Sequence, residues 1–236
     1  ASLRRQGDGH AVNLPRRRVH IRGGGGLQIL PAADFGTGIV GYKAYTVGPG
    51  GAKFHVMIYD TSTGILKAIV QAAALGSYRT GAASGVASRY MSREDSATLG
   101  VIGSGNQART QVQAICAVRP IQEVRIYGRN VSRREAFAES VGKTVDATVD
   151  AVSTPAEAAA NADIVVTATN AVAPVLEGEW LSEGSHVNAI GSNSIIRREI
   201  DLETARRAAR VVVDDREQAL LECGDLLMDQ VRNKVS

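Results

Sequence analysis

Residues 98–108 read Thr-Leu-Gly-Val-Ile-Gly-Ser-Gly-Asn-Gln-Ala, and no other stretch restricts the possible folds so tightly. Residues 99–102 suit a short buried parallel strand, and the chain passes at once through Gly103-x-Gly105-x-x-Ala108 into helix-compatible sequence. Each small residue answers a separate steric demand. Gly103 lets the chain turn sharply off the strand, Gly105 leaves no Cβ between backbone and a diphosphate, and Ala108 lets the helix lie close to the sheet. The helix amino end, with Asn106 and Gln107 at its start, then offers N–H groups and partial positive charge to an anion. A glycine pattern alone marks many tight turns. The strand before it, the apolar helix at 111–118 and the next strand candidate at 124–127 make this one a dinucleotide site.

Strand and helix signals go on alternating: a helix at 133–141, a weak strand near 145–149, and a helix opened at Thr154 by a capping box with Glu157 and a proline at its first position. Further strand candidates fall at 163–168, 186–190 and 211–214, the first and last being continuous apolar runs suited to burial on both faces. The expected class is therefore α/β. Residues 92–220 form a doubly wound parallel Rossmann-type sheet, whose strands' carboxyl ends gather ligand-binding residues on one side. Those ends are Gly128-Arg129-Asn130, Thr167-Ala168-Thr169 and Gly191-Ser192-Asn193; Thr167, Ala168, Thr169, Gly191 and Asn188, just before the last, are expected to border the nicotinamide.

Before residue 92 the pattern differs. Residues 1–22 are polar and basic and read as a hairpin or loop, Gly23 to Gly26 as a flexible turn, and 38–47, 54–60 and 65–70 as strands without helices between them. A smaller, mainly antiparallel substrate and dimerisation domain over 1–91 is expected, ending on small residues at 79–90 suited to a helix packed tightly on a sheet. Ser92 reads as the cap of a short helix. Residues 221–236 read as the start of a return to that domain.

A dinucleotide site ordinarily places an acid after its second strand, to accept hydrogen bonds from the adenosine ribose. This chain has Gly128-Arg129-Asn130 there. A guanidinium suits a 2′-phosphate through paired donors and charge, with Asn130, Ser132 and Arg133 beside it, so NADP(H) is favoured over NAD(H). The other reading leaves Arg129 in solvent and the site indifferent to the phosphate. S-adenosylmethionine enzymes share glycine-rich first turns but also want the acid, and rank below.

Six arginines precede residue 23 against one acid, Asp8, although the formal net charge is only +3. No aromatic residues interleave them for base stacking, so an anion site or solvated edge is expected and no nucleic-acid partner. Cys116 and Cys223 have neither metal nor disulfide spacing, which fits a reducing, cytoplasmic setting, and the four histidines show no ligand spacing, so no metal is expected. No apolar run is long enough to span a bilayer.

The glycine turn, taken with Leu30-Pro-Ala32, Gly41-Tyr-Lys43, Asp60-Thr-Ser-Thr-Gly64, Arg79-Thr-Gly-Ala-Ala-Ser84, residues 162–169, Gly178-Glu-Trp180, residues 186–191, Arg198-Glu-Ile-Asp201 and Glu222-Cys-Gly-Asp225, resembles the ornithine cyclodeaminase and mu-crystallin family along nearly the whole chain. The resemblance implies a dinucleotide-binding domain inserted into a second domain that binds substrate and forms a dimer, so a homodimer is expected of the full-length protein. It implies one of three activities on a small amino or imino acid: cyclising deamination of ornithine to proline, amino-acid dehydrogenation, or reduction of cyclic imines. Mu-crystallin also binds thyroid hormone. Lys43 matches the family's active-site lysine and Arg79 the arginine that holds substrate carboxylate. Arg17, between Arg16 and Arg18, is the best match to a further carboxylate-binding arginine. Chemistry agrees, since a small acid needs a fork of donors and a lysine can exchange a proton if burial lowers its pKa.

Two departures matter. Asn193 stands where cyclodeaminases carry an aspartate for acid/base work, and an amide takes no proton at neutral pH; residues 71–76 also differ from the family pattern before the arginine. The family's opening segment and closing return are missing from this sequence. Weight moves to NAD(P)-dependent hydride transfer, as a dehydrogenase or ketimine reductase. Ornithine cyclodeamination and a non-catalytic protein holding NADP and a small ligand are the alternatives.

Overall fold

The computed structural model of the protein describes residues 2–22, 25–49 and 51–227. It falls into two units, residues 1–76 with 214–218 and residues 77–213 with 219–236.

The first unit is an antiparallel sheet. Alternating side chains and tight turns build β3 (Gly26–Asp34), β4 (Ile39–Gly48), β5 (Gly51–Asp60) and β6 (Leu66–Gln71), each paired with the next. The turn after β5 is closed by Asp60, whose carboxylate accepts from the Ser62 and Thr63 N–H groups at 2.9 and 3.1 Å and pairs with Lys67 at 2.8 Å. Residues before Gly23 were expected as a hairpin or loop. They hold a short helix α1 (Ser2–Gly7) and two strands, β1 (Ala11–Asn13) and β2 (Arg17–His20), both lying on β3. Pro31 sits in the gap between these two partners, where its carbonyl accepts from Leu14 N–H at 3.0 Å. Gly23 and Gly24 of the expected turn lie outside the described residues.

The second unit alternates as expected: β7 (Thr98–Ile102), α3 (Asn106–Cys116), β8 (Glu123–Tyr127), α4 (Val131–Gly142), β9 (Thr148–Ala151), α5 (Pro155–Ala159), β10 (Ile164–Thr167) and β11 (His186–Ala189). All four ladders are parallel, in the order β11-β10-β7-β8-β9. Chain direction across the sheet reverses between β7 and β10, which opens a crevice at their carboxyl ends. One apolar cluster, Leu99, Val101, Val112, Ile115, Ile126 and Ile164 among others, fills one layer; Ile102, Ala158, Val165, Leu176 and Ile200 belong to another. Alternate residues of β10 feed each cluster, as a strand buried on both faces requires. The capping box at Thr154 forms, with Thr154 Oγ accepting from Glu157 N–H at 3.1 Å and Glu157 accepting from Ser153 N–H at 3.0 Å.

Three expectations need correction. Residues 211–214 make no strand: Val211 and Val213 pack on the second apolar cluster, Val212 is 62% exposed, and among the described residues no ladder partner lies alongside. The weak strand moves from 145–149 to 148–151, with Val145 and Ala147 instead packed as loop against the first cluster. Ser92 caps no new helix but ends α2 (Ala73–Met91), its hydroxyl donating to Ser88 O at 2.7 Å.

The division between units falls at Gly76, within the first turn of α2, whereas 91/92 was expected from sequence. The small residues explain the shift. A Cβ on Gly81 would press into the Thr110 carbonyl of α3, one on Gly85 would lie 3.2 Å from Ala114, and Thr110 Oγ donates to Ser77 O at 2.9 Å. After its first turn α2 is therefore bound to α3. A further short helix, α6 (Leu202–Arg207), and α7 (Arg216–Glu222) follow the sheet.

Candidate functional site

At the end of β7 the backbone turns through Gly103 at φ +123°, a conformation that L side chains rarely adopt, and a Cβ there would press into the Ala168 carbonyl oxygen and sit 3.3 Å from the Thr169 methyl. Gly105 is different. It is the N-cap of α3 at φ −98°, ψ −177°, no side chain caps the helix, and a Cβ added to it would meet nothing within 4 Å. In the first turn of α3 the Ala108 N–H bonds back to Gly105 O at 3.1 Å, while the Asn106 and Gln107 N–H groups have no partner among the described residues; the turn carries no acid and starts beside the β7/β10 reversal. Ala108 is fully buried, letting α3 approach the sheet; Asn106 and Gln107 occupy the first turn. That arrangement suits an anionic diphosphate lying against bare main chain.

After β8, Arg129 and Arg133 are exposed, and their guanidiniums make no hydrogen bond or ion pair among the described residues. Asn130 is the N-cap of α4, its side-chain oxygen accepting from Arg133 N–H at 2.9 Å, so that oxygen is committed to the helix. Arg134, which sequence reasoning passed over, is buried over the Tyr127 ring and donates to Gly128 O at 3.2 Å, fixing the turn that presents Arg129.

The ends of β10 and β11 meet on a residue given no role from sequence. Glu199 accepts from Thr169 N–H and Oγ–H at 2.5 and 2.6 Å on one oxygen, and from Thr167 Oγ–H and Gly191 N–H at 2.9 and 2.6 Å on the other. Burial pushes its carboxyl up, opposed by these four donors. Asp225 holds the neighbouring backbone, accepting from Glu199 and Ile200 N–H at 2.6 and 3.1 Å, and burial raises its carboxyl too. The only signal was that both residues stand in the stretches carrying the family resemblance. Asn188, expected beside a nicotinamide, donates instead to Ser88 Oγ of α2 at 3.0 Å. Its amide nitrogen serves helix–sheet packing. Asn193 Oδ1 accepts from Arg197 at 3.3 Å.

In the first unit, β4 places Lys43 and Tyr45 on one face, with the ammonium 5.4 Å from the ring centroid. Arg16 joins them, donating to Tyr45 Oη at 2.6 Å and to Gln28 Oε1 at 3.1 Å. Arg17 does not: it pairs with Ile29 in β2 and is exposed. Arg17, the residue matched from sequence to a carboxylate-binding arginine, thus points away from the face that carries Arg16, because one step along an extended chain reverses the side chain's direction. In the second unit Arg79 is exposed on α2, about half a helical turn round from Gly81 and so away from α3. Its guanidinium has no hydrogen-bond or ion-pair partner among the described residues. No cluster of three or more potential metal ligands occurs among those residues, and no helix there is long and apolar enough to cross a membrane.

A family model described as the ornithine cyclodeaminase/mu-crystallin family matches residues 1–236. A Delta(1)-pyrroline-2-carboxylate reductase of Bacillus cereus is 38% identical over 205 residues, 84% of this chain and 63% of the relative. The chain thus spans under two thirds of that relative's length. The solved structure of the Thermococcus litoralis Delta(1)-pyrroline-2-carboxylate reductase in complex with NADH and L-proline superposes with a TM-score of 0.92 at 31% identity, covering all of this chain and 75% of that one. A probable ornithine cyclodeaminase from Bordetella pertussis gives 0.93 at 32% identity, over 99% of this chain and 75% of that one.

Proposed function

The chain belongs to the ornithine cyclodeaminase/mu-crystallin family, and we propose that it serves an NAD(P)-dependent oxidoreductase moving hydride between nicotinamide and the α-carbon of a small amino or imino acid. The observation that carries this is the open, uncapped amino end of α3 behind Gly103 and Gly105, at the strand reversal. Residues Gly103, Gly105, Asn106, Gln107 and Ala108 would hold the diphosphate, and Thr167, Ala168, Thr169 and Gly191 the nicotinamide end. The nicotinamide, when bound, supplies or accepts the hydride. Arg79, with an uncommitted fork of donors, holds the substrate carboxylate. Lys43 gives the imine nitrogen its proton in reduction and recovers it in oxidation, with Arg16 and Tyr45 setting the charge around it.

The similarity to a pyrroline-carboxylate reductase favours a cyclic ketimine as substrate. Asn193 speaks against ornithine cyclisation, since its amide cannot replace a proton-exchanging carboxylate. We further propose NADP(H) in preference to NAD(H), supported by the two exposed guanidiniums at 129 and 133 and the missing acid after β8, although the Thermococcus relative was solved with NADH. Pairing of two copies through the antiparallel sheet is supported by its exposed Val40, Leu66 and Ile69. A reducing, cytoplasmic compartment is supported by two cysteines whose spacing fits neither a metal site nor a disulfide framework.

The test is a screen of small keto and cyclic imino acids with NADPH and NADH in parallel, reading loss of reduced-nicotinamide absorbance. Cofactor oxidation with a cyclic imino acid is expected. Tight NADPH binding without turnover on any substrate, or proline and ammonia from ornithine without net cofactor reduction, overturns the reading.

A further inference from the structure

Glu199 lies outside every helix and strand, is fully buried, and has no cationic partner among the described residues. Four donors converge on it, and their sources matter more than their number. One backbone N–H belongs to the loop after β10 and aims at Oε1; the other, from Gly191 in the loop after β11, aims at Oε2. Backbone donors cannot be turned away, so both oxygens must accept, which a carboxylate does and a carboxamide cannot. The hydroxyls of Thr167 and Thr169 add one bond to each oxygen.

The clamp also reaches the dinucleotide bend. Thr169, gripped by N–H and hydroxyl, sets its methyl 3.3 Å from where a Gly103 Cβ would stand. Asp225, 2% exposed, fixes the backbone of Glu199 itself. Segments far apart in sequence, 167–169, 191, 199 and 225, are thereby tied at the carboxyl ends of adjacent parallel strands.

We propose that Glu199, seated by Asp225, is a positioning residue that sets the spacing of the loops after β10 and β11 and so fixes the nicotinamide half of the cofactor, leaving the adenosine half to the Gly103 bend. This rests on the assignment of a dinucleotide to that bend. The test separates the two halves of the ligand: binding of ADP-ribose, which lacks nicotinamide, is compared with binding of NADH, each run beside its 2′-phosphorylated counterpart, on wild type, Glu199→Gln and Glu199→Asp. Glu199→Gln is expected to weaken NADH about tenfold or more, the effect of one lost bond between a backbone N–H and a carboxylate, while ADP-ribose binding stays unchanged. Glu199→Asp, which keeps two accepting oxygens on a shorter arm, recovers part of the loss. Equal weakening of both ligands would reduce Glu199 to a structural role and overturn the inference, as would unchanged NADH binding. Wild type binding neither ligand would instead sink the dinucleotide assignment. Should Glu199→Gln fail to fold, Asp225→Ala, which releases the Glu199 backbone without altering a residue assigned to the cofactor, is expected to show the same selective loss of NADH, and its absence overturns the proposal.

Discussion

Alanine placed at Gly103 and at Gly105 should separate folding from cofactor binding, because the two positions carry opposite geometry. At Gly103 the backbone stands at φ +123° and a Cβ presses into the Ala168 carbonyl. An L residue held in such a region costs about 1–3 kcal/mol, and forcing a methyl into packed backbone a similar amount, so Gly103→Ala should lose about 2–6 kcal/mol of stability. At Gly105 φ is −98° and the added methyl meets nothing. A stiffer unfolded chain stabilises by about 0.4–1 kcal/mol, and alanine's poorer capping takes away about as much, so Gly105→Ala should unfold within about 1 kcal/mol of wild type. Its methyl nevertheless stands where a diphosphate must approach. Losing one charge-assisted N–H bond, worth about 1.5–3 kcal/mol, weakens the cofactor about ten- to hundredfold. Urea unfolding followed by circular dichroism gives the first quantity, and fluorescence titration with NADPH and NADH the second. A Gly105→Ala protein that binds both cofactors like wild type would refute the placement of the diphosphate, and a Gly103→Ala protein of wild-type stability would refute the steric argument.

Arg129→Asp should lower NADPH affinity about tenfold or more while leaving NADH affinity intact, as expected for loss of a guanidinium–phosphate contact; titrations showing equal losses would mean the arginine faces only water. Arg79→Met should raise KM for the imino acid far more than it changes NADPH affinity, and Lys43→Met should act mainly on kcat; steady-state kinetics showing neither effect would remove these two residues from the chemistry. Burial lowers the pKa of His186 below its ordinary 6.5, so the folded protein resists charging an imidazole that the unfolded chain charges freely. The stability tied to this neutral ring is present above pH 6.5 and lost as pH falls through the lowered value. Melting temperature measured across that window should fall less steeply in His186→Gln, and an unchanged slope would assign the acid limb elsewhere.

What the sequence made legible follows from how local its causes are. The bend at 103–108 could be read directly because its causes are local, a positive φ that wants glycine at 103 and a close helix-to-sheet contact that wants a small residue at 108, and the parallel sheet because runs such as 164–167 feed two apolar layers at once. The strand expected at 211–214 shows the converse: its pattern is the same whether or not another strand lies alongside, and that depends on the whole sheet. Small residues at 81 and 85 announced tight packing, but against a sheet, whereas they face Thr110 and Ala114 of α3, which moved the division between units. Arg16 and Arg17 are neighbours of one type, and the strand's alternation that tells them apart becomes visible only once β2 is in register. Glu199 and Asp225 escaped for a different reason. A buried carboxylate held by hydrogen bonds has no local signature, since most of its donors arrive from segments tens of residues away.

In the proposed function, hydride passes between the nicotinamide and the α-carbon of the substrate. The most direct test of this transfer is a single turnover with NADPH carrying deuterium at the transferable position of the nicotinamide and a cyclic imino acid, followed by mass spectrometry of the amino-acid product. One deuterium on the α-carbon is predicted, with an equivalent of oxidised cofactor. Product formed without label at that carbon would contradict the account.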